Sequence, residues 1–302
     1  MLFDISKANI EELHDELFLE KQVKLYILRL DKIHPLLSGN KIFKLQYFLE
    51  DALASDHKTV LTFGGAYSNH LAATAYACRI LQLKSIGIVR GEKPAALSPT
   101  LQQCIADGMH VKFISRQEYD KKESLVFIEA LKAEFGAFTA VPEGGYNNLG
   151  VKGAALIYDM VKTGDYTHIC MAAGTATTLA GILVAAKPEQ TVVAIPVLKG
   201  FTGIEENVKF LTGKRGKFNN LEILDAYHFG GYAKKNEVLI DFINHCWQQY
   251  QLPLDFVYTA RMMFGVMDNI KKNNFKKGSK IICLHTGGLQ GNKSLPLNIL
   301  LF

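Results

Sequence analysis

The stretch Leu36-Leu37-Ser38-Gly39-Asn40-Lys41-Ile42-Phe43-Lys44-Leu45 decides how this chain is read. A small Ser-Gly-Asn turn runs straight into a helical pattern, and Lys41 stands at the mouth of that helix. The positive end of a helix dipole lies there. Positive potential disfavours an ammonium ion, so the local field helps Lys41 shed its proton. A deprotonated lysine is a nucleophile that condenses with an aldehyde. An isolated lysine in this position reads as a solvated charge; the motifs downstream change that reading.

Outward from this turn, short β-branched runs alternate with helical segments. The pattern predicts strands at 24–30, 59–63, 85–89, 111–114, 137–141, 168–171, 191–197, 221–225 and 280–285. It predicts helices at 41–51, 69–81, 99–107, 122–134, 151–160, 235–250 and 259–271, with one more opened by Gly174. Near-continuous apolar strands alternating with helices indicate an α/β fold whose parallel-rich sheets are covered by helices. The glycine corners Gly64-Gly65, Gly144-Gly145, Gly174 and Gly287-Gly288 follow strand carboxyl ends. Open α/β sheets bind ligands along that edge. The corners therefore imply one shared site, or two sheets facing a common cleft.

The chain has 302 residues, 48% of them hydrophobic, enough for one large domain or two medium ones. Its formal net charge is +5, with the lysines scattered. No basic stripe interleaved with aromatics is present, so nucleic acid is not an expected partner. Cys78, Cys104, Cys170, Cys246 and Cys283 form no Cys-x-x-Cys pair and no zinc spacing. An odd, dispersed set of cysteines points to a reducing compartment. No signal peptide and no membrane-length apolar run is read, so a cytoplasmic location is expected.

Four segments carry chemistry. In Gly64-Gly65-Ala66-Tyr67-Ser68-Asn69-His70, a strand end opens a helix and presents N–H groups, a hydroxyl and an amide together. Ser68 and Asn69 suit either helix capping or the binding of a carboxylate or phenolate. Ala173-Gly174-Thr175-Ala176-Thr177-Thr178 is a small-residue turn before a helix, the recipe for a phosphate cup. It lacks the lysine of a Walker A loop and the G-x-G-x-x-G of dinucleotide sites. Val141-Pro142-Glu143-Gly144-Gly145 marks a tight crossover. Near the end, Tyr258-Thr259 and His285-Thr286-Gly287-Gly288 add hydroxyls beside strand ends.

Together these segments resemble the 1-aminocyclopropane-1-carboxylate (ACC) deaminase and D-cysteine desulfhydrase family of pyridoxal 5'-phosphate (PLP) enzymes. The resemblance runs in order from about Leu25 to Gly288. Ser38-Gly39-Asn40-Lys41 with Lys44-Leu45 is similar to the family's Gly-Asn-Lys-x-Arg-Lys-Leu signature, whose first lysine carries PLP. Ser68-Asn69-His70 resembles its Gln-Ser-Asn-His segment. The resemblance implies that Ser68 touches substrate and Asn69 binds the phenolic oxygen of PLP. Tyr67, Ser68, Asn69 and His70 would line the substrate pocket. Gly174, Thr175, Ala176, Thr177 and Thr178 would hold the phosphate. Thr259 and Thr286 are both candidates for the ring nitrogen, and Tyr232 and Tyr258 for acid–base help.

Three positions depart from the family pattern. Phe43 replaces an arginine, Tyr67 a glutamine, and Thr259 the acid that ACC deaminases place beside the ring nitrogen. A threonine brings no charge, which makes the ring a weaker electron sink. That favours elimination of a good β-leaving group. The expected reaction is D-cysteine desulfhydrase-like elimination to a 2-oxo acid, ammonia and sulfide, with the freed Lys41 as base.

ACC deaminase is the alternative within this family, followed by a racemase or dehydratase. Outside enzymes stand a PLP-binding protein without turnover and a nucleotide-binding α/β protein. The family further implies fold type II, tryptophan synthase β-like, with two domains. Residues 1–46 and 146–302 would form the large one and 47–145 the small one. A homodimer acting on a small amino acid is expected.

Overall fold

The computed structural model describes residues 1–37 and 39–302, so Ser38 of the Ser-Gly-Asn turn lies outside the described residues. The strands are β1 (Ile10–Leu13), β2 (Lys24–Arg29), β3 (Thr59–Gly64), β4 (Lys84–Arg90), β5 (Met109–Ile114), β6 (Thr139–Val141), β7 (His168–Ala173), β8 (Thr191–Pro196), β9 (Leu221–Ile223) and β10 (Lys280–His285). The α-helices are α1 (Glu16–Glu20), α2 (Asn40–Ala54), α3 (Asn69–Ile80), α4 (Pro99–Ala106), α5 (Arg116–Tyr119), α6 (Leu125–Phe135), α7 (Asn148–Ala155), α8 (Thr177–Ala185), α9 (Ile204–Thr212), α10 (Glu237–Tyr250) and α11 (Thr259–Lys271).

Among the described residues the strands form two sheets, ordered β1-β2-β10-β7-β8-β9 and β5-β4-β3-β6. Every pairing is parallel except β1 with β2. The expected α/β fold with parallel-rich sheets is therefore present. The sequence pattern missed β1, whose Ile-Glu-Glu-Leu stretch is half exposed and carries no apolar run.

Each element follows from its residues. Strand β3 is buried along its whole length, as its polar-poor sequence requires. The predicted helix at 122–134 is α6, which starts at Leu125 where Ser124 caps it, and the short α5 before it, capped by Ser115, was not predicted. The predicted helix at 151–160 begins earlier, at α7, where the Asn147 side chain accepts from Leu149 and Gly150 N–H. It tightens to a 3-10 turn over Leu156–Met160.

Helices α2, α7 and α8 stack closely between the two sheets. A Cβ on Gly153 of α7 would lie 2.0 Å from the Phe43 carbonyl oxygen of α2, so only glycine permits that approach. One apolar core runs through this layer. It joins Leu28, Ile282 and Met171 of the larger sheet to Phe43 and Leu45 of α2 and to Val60 and Val141 of the smaller sheet. Phe43 is fully buried there, which accounts for an aromatic where a charged side chain could not sit. A second core fills the other face of the larger sheet, with Ile27, Val193, Met262 and Val266. Each buried aliphatic or aromatic side chain contributes roughly 1.5–3 kcal/mol. No helix among the described residues is long and apolar enough to cross a membrane.

Candidate active site

The glycine corners meet. At Gly39 the backbone has φ 67° and ψ −149°, and an added Cβ would lie 1.7 Å from the Thr286 carbonyl oxygen. Only glycine fits both the dihedrals and the space. Next to it Asn40 N–H donates to that same Thr286 oxygen at 3.2 Å. Gly288 stands equally close to Asn69, with 2.3 Å between its notional Cβ and Asn69 Nδ2. Gly144 abuts Thr175, and Gly174 abuts the ring edge of Tyr258. Segments from six parts of the chain thus come together, as the shared site expected from the sequence requires.

Lys41 occupies the first turn of α2. Its Nζ donates to Asn40 Oδ1 at 2.7 Å, and Asn40 Nδ2 donates to Thr178 Oγ1 at 2.8 Å. Burial of the amine lowers the pKa of Lys41 to about 8, against an opposing pull from Asp255. Loss of water is the largest cause. Lys44 is buried one turn on, and its pKa is driven well down by burial and by Lys41.

At the other wall, Ser68 caps α3 by accepting from Leu71 N–H at 3.2 Å. That bond uses an oxygen lone pair and leaves the hydroxyl proton available. Asn69 begins the helix, and its buried Oδ1 has no hydrogen-bond partner among the described residues. His70 turns away into the smaller sheet. Thr62 Oγ1 donates to the Val141 carbonyl, so His70 Nε2 must donate to Thr62, at 2.9 Å. Burial, then Lys44 and Lys41, hold that imidazole neutral. Tyr67 is exposed on the adjoining loop.

The segment from Gly174 to Thr178 wraps the start of α8. Ala176 sits at φ 62° with no side chain capping the helix. A left-handed alanine costs roughly 1–2 kcal/mol, and such residues cluster at functional sites. The first N–H groups of α8 are left for an anion. Thr175 and Thr177 hydroxyls lie 3.0 Å apart beside them.

Tyr258 faces Gly174, and its hydroxyl lies 3.5 Å from that of the half-exposed Tyr232. Burial, then Tyr232, Asp255 and Glu143, push the Tyr258 pKa well up, so it remains a phenol. Thr259 is fully buried, and its hydroxyl is engaged by Asp255. Thr286 is also buried. Three participants escaped the sequence reading: Asn40, whose bridge to Thr178 spans 138 positions, the buried Lys44, and Asp255. A cavity of about 350 Å³ is lined by Phe63, Lys122, Glu143, Tyr146 and Phe210 among others.

The centre suits a phosphorylated aldehyde cofactor. It offers an amine with a lowered pKa, an uncapped helix start for a phosphate, and an orphaned buried amide for a ring substituent.

Comparison with known proteins agrees with that chemistry. Residues 12–287 match the family model of pyridoxal-phosphate dependent enzymes, and the chain belongs to this family. It is 29% identical over 293 residues to a mitochondrial bifunctional D-cysteine desulfhydrase/ACC deaminase of Arabidopsis thaliana, covering 89% of this chain and 73% of that one. It is 26% identical to a D-cysteine desulfhydrase of Yersinia pestis, covering 88% of this chain and 86% of the relative. The solved structure of an ACC deaminase homologue superposes with a TM-score of 0.80 at 27% identity, covering 96% of this chain and 92% of that one. The chain is a PLP-dependent enzyme, and its fold is the fold type II expected from the sequence.

Proposed function

We propose that this PLP-dependent enzyme is a lyase that eliminates the β-substituent of a small amino acid, with D-cysteine as the leading substrate. The products are a 2-oxo acid, ammonia and sulfide. The observation that carries the reading is the Lys41 amine, with its pKa lowered to about 8 and a link through Asn40 to Thr178 beside the anion cup.

The cofactor, when bound, draws electron density from the substrate Cα. The chain supplies the rest. Lys41 would hold the cofactor and is the base for the Cα proton, a task suited to an amine whose pKa is lowered to about 8. The N-terminus of α8, with Thr175, Thr177 and Thr178, holds the phosphate. Asn69 meets the phenolic oxygen through its amide, whose donor and acceptor ends exchange on a flip. Ser68 donates its free proton to the substrate carboxylate. Tyr258, kept as a phenol beside Tyr232, is the proton donor to the leaving group. Tyr67 completes the substrate wall, while His70 braces the start of α3 from behind through Thr62.

The division into 1–46 with 146–302 and 47–145 is part of the same reading. It is supported by a four-stranded sheet whose strands all fall within residues 59–141. Closure of the smaller unit would exclude water from the cleft. A homodimer in the cytoplasm completes the proposal.

The test is product analysis with the PLP-loaded enzyme. Sulfide and pyruvate from D-cysteine support the reading. Release of 2-oxobutyrate from ACC, with no sulfide from D-cysteine, would replace it with ACC deamination. Lys41→Ala should abolish turnover and the lysine-dependent visible band.

A further inference from the structure

None of Lys41, Ser68, Asn69, Tyr258 or the 174–178 segment lines the cavity of about 350 Å³. Its size falls within the range of small-molecule sites, roughly 300–1,000 Å³. Its walls draw on distant segments. Phe63 lies near the end of β3, Ile128 on α6, Tyr146 and Asn147 before α7, and Phe210 and Leu211 on α9. The Tyr146 and Phe210 rings are nearly parallel, at 11°, with centroids 6.0 Å apart. Phe210 is 74% exposed. An aromatic ring left in water forfeits the stabilisation that burial would bring. At a cavity wall, it offers apolar surface for a ligand to cover.

The polar groups here carry both signs. Lys122 Nζ lies 3.6 Å from Glu143 Oε2, an ion pair too long for a hydrogen bond. Each of the two keeps capacity for another partner. Glu123 is a second carboxylate in the lining, and it is exposed. Asn147 Oδ1 accepts from Leu149 and Gly150 N–H, which leaves the amide donors of that side chain for another acceptor. One ammonium and two carboxylates disfavour a simple anion. A simple hydrocarbon would leave all three charges unmatched. A zwitterion with an apolar body matches both the charges and the wall.

We propose that this cavity is a second binding site, for a free amino acid with an aromatic or branched aliphatic side chain. Glu143 and Glu123 receive its ammonium, Lys122 and Asn147 its carboxylate, and Ile128, Tyr146 and Phe210 its side chain. The site is apart from the reactive amine but close to the cofactor cup along the chain. Glu143 precedes Gly144, whose notional Cβ lies 3.0 Å from Thr175 Cγ2.

The test uses the full chain loaded with PLP and reduced with borohydride, which ties the cofactor to its lysine and closes the catalytic amine to amino acids. The probe is racemic para-fluorophenylalanine, followed by fluorine NMR line broadening. Saturable binding below about 10 mM is expected. The analogue para-fluorophenylpropionate lacks the ammonium, and para-fluorophenethylamine lacks the carboxylate. Each should bind about tenfold more weakly or worse, because a charged partner in the site goes unmatched. Phe210→Ala removes an exposed ring, and Lys122→Met keeps the stem without the charge. Each should weaken the amino acid probe by about tenfold, with unchanged circular dichroism.

Absence of saturation in that range overturns the proposal. So does equal binding of the amino acid and the two analogues, or binding indifferent to both variants. The analogue series runs on the unaltered chain, so it decides the question of charge even where Lys122→Met fails to fold. The role of Lys41 is read separately, as the peptide that carries the reduced cofactor.

Discussion

Asn40 Nδ2 donates to Thr178 Oγ1 at 2.8 Å, while Asn40 Oδ1 accepts from Lys41 Nζ at 2.7 Å. One buried amide therefore ties the amine to the start of α8. Cofactor anchoring at two points needs those points held at a fixed separation, and this amide is the strut between them.

Asn40→Ala should weaken cofactor binding about tenfold to a hundredfold. Removing the amide strands a buried threonine hydroxyl and a lysine at a cost of roughly 1–3 kcal/mol. Equilibrium binding, followed by the visible absorbance of the loaded protein, reads the change. Affinity equal to that of the unaltered protein would refute the strut.

Gly39→Ala should destabilise the fold by roughly 3 kcal/mol, from backbone strain together with overpacking. Its Cβ would meet the Thr286 carbonyl at 1.7 Å, and neither partner is the end of a flexible side chain. Urea unfolding measures it; a loss under about 1 kcal/mol contradicts the close approach.

Stability of the cofactor-free chain should respond to pH through Lys41. Its folded pKa is lowered from 10.5 to about 8. Between those values the unfolded chain binds more protons, so stability rises with pH across that window. Lys41→Met removes the contribution. The variant should be the more stable protein at pH 8, and its advantage should narrow toward pH 10 in paired thermal melts. A constant or widening gap would contradict the burial of the amine.

Ser68→Ala removes a helix cap worth about 1 kcal/mol and, on the proposed function, a donor to the substrate carboxylate. KM should rise by about tenfold with a smaller change in kcat. Ser68→Thr keeps the cap and the proton and should recover most of both. Steady-state kinetics with unfolding curves on the same samples separate the two losses.

Tyr258→Phe keeps the ring against Gly174 and deletes the phenol. Cofactor affinity should hold within about twofold while turnover falls by about 10²-fold, the usual scale of a lost acid catalyst. Equal losses in both would assign Tyr258 to cofactor binding alone.

Much of this was legible in the chain. The β-α alternation announced the sheets, because apolar period and turn residues are local properties. The corners at Gly39, Gly174 and Gly288 were legible too, since a backbone that must pass close to another leaves glycine in the sequence. The helix start at Ser115 was not recognised because its capping box lies next to a second serine-capped start at Ser124. Strand β1 was missed because an edge strand needs no apolar run.

What the sequence by itself determined is the set of chemical groups and their local presentation: Lys41 on a helix start, small residues and threonines before α8, Ser68 and Asn69 opening α3. What only the tertiary structure decided is which groups lost water and which charges face each other. Asp255 reads locally as an ordinary residue before a helix, four positions from the threonine that engages it. The fold buries it as the acceptor that holds the Tyr258–Thr259 turn, and burial is the largest cause of the lowered Lys41 pKa. Hydrogen-bonding patterns are written in neighbouring residues, whereas desolvation depends on everything the fold packs around a group.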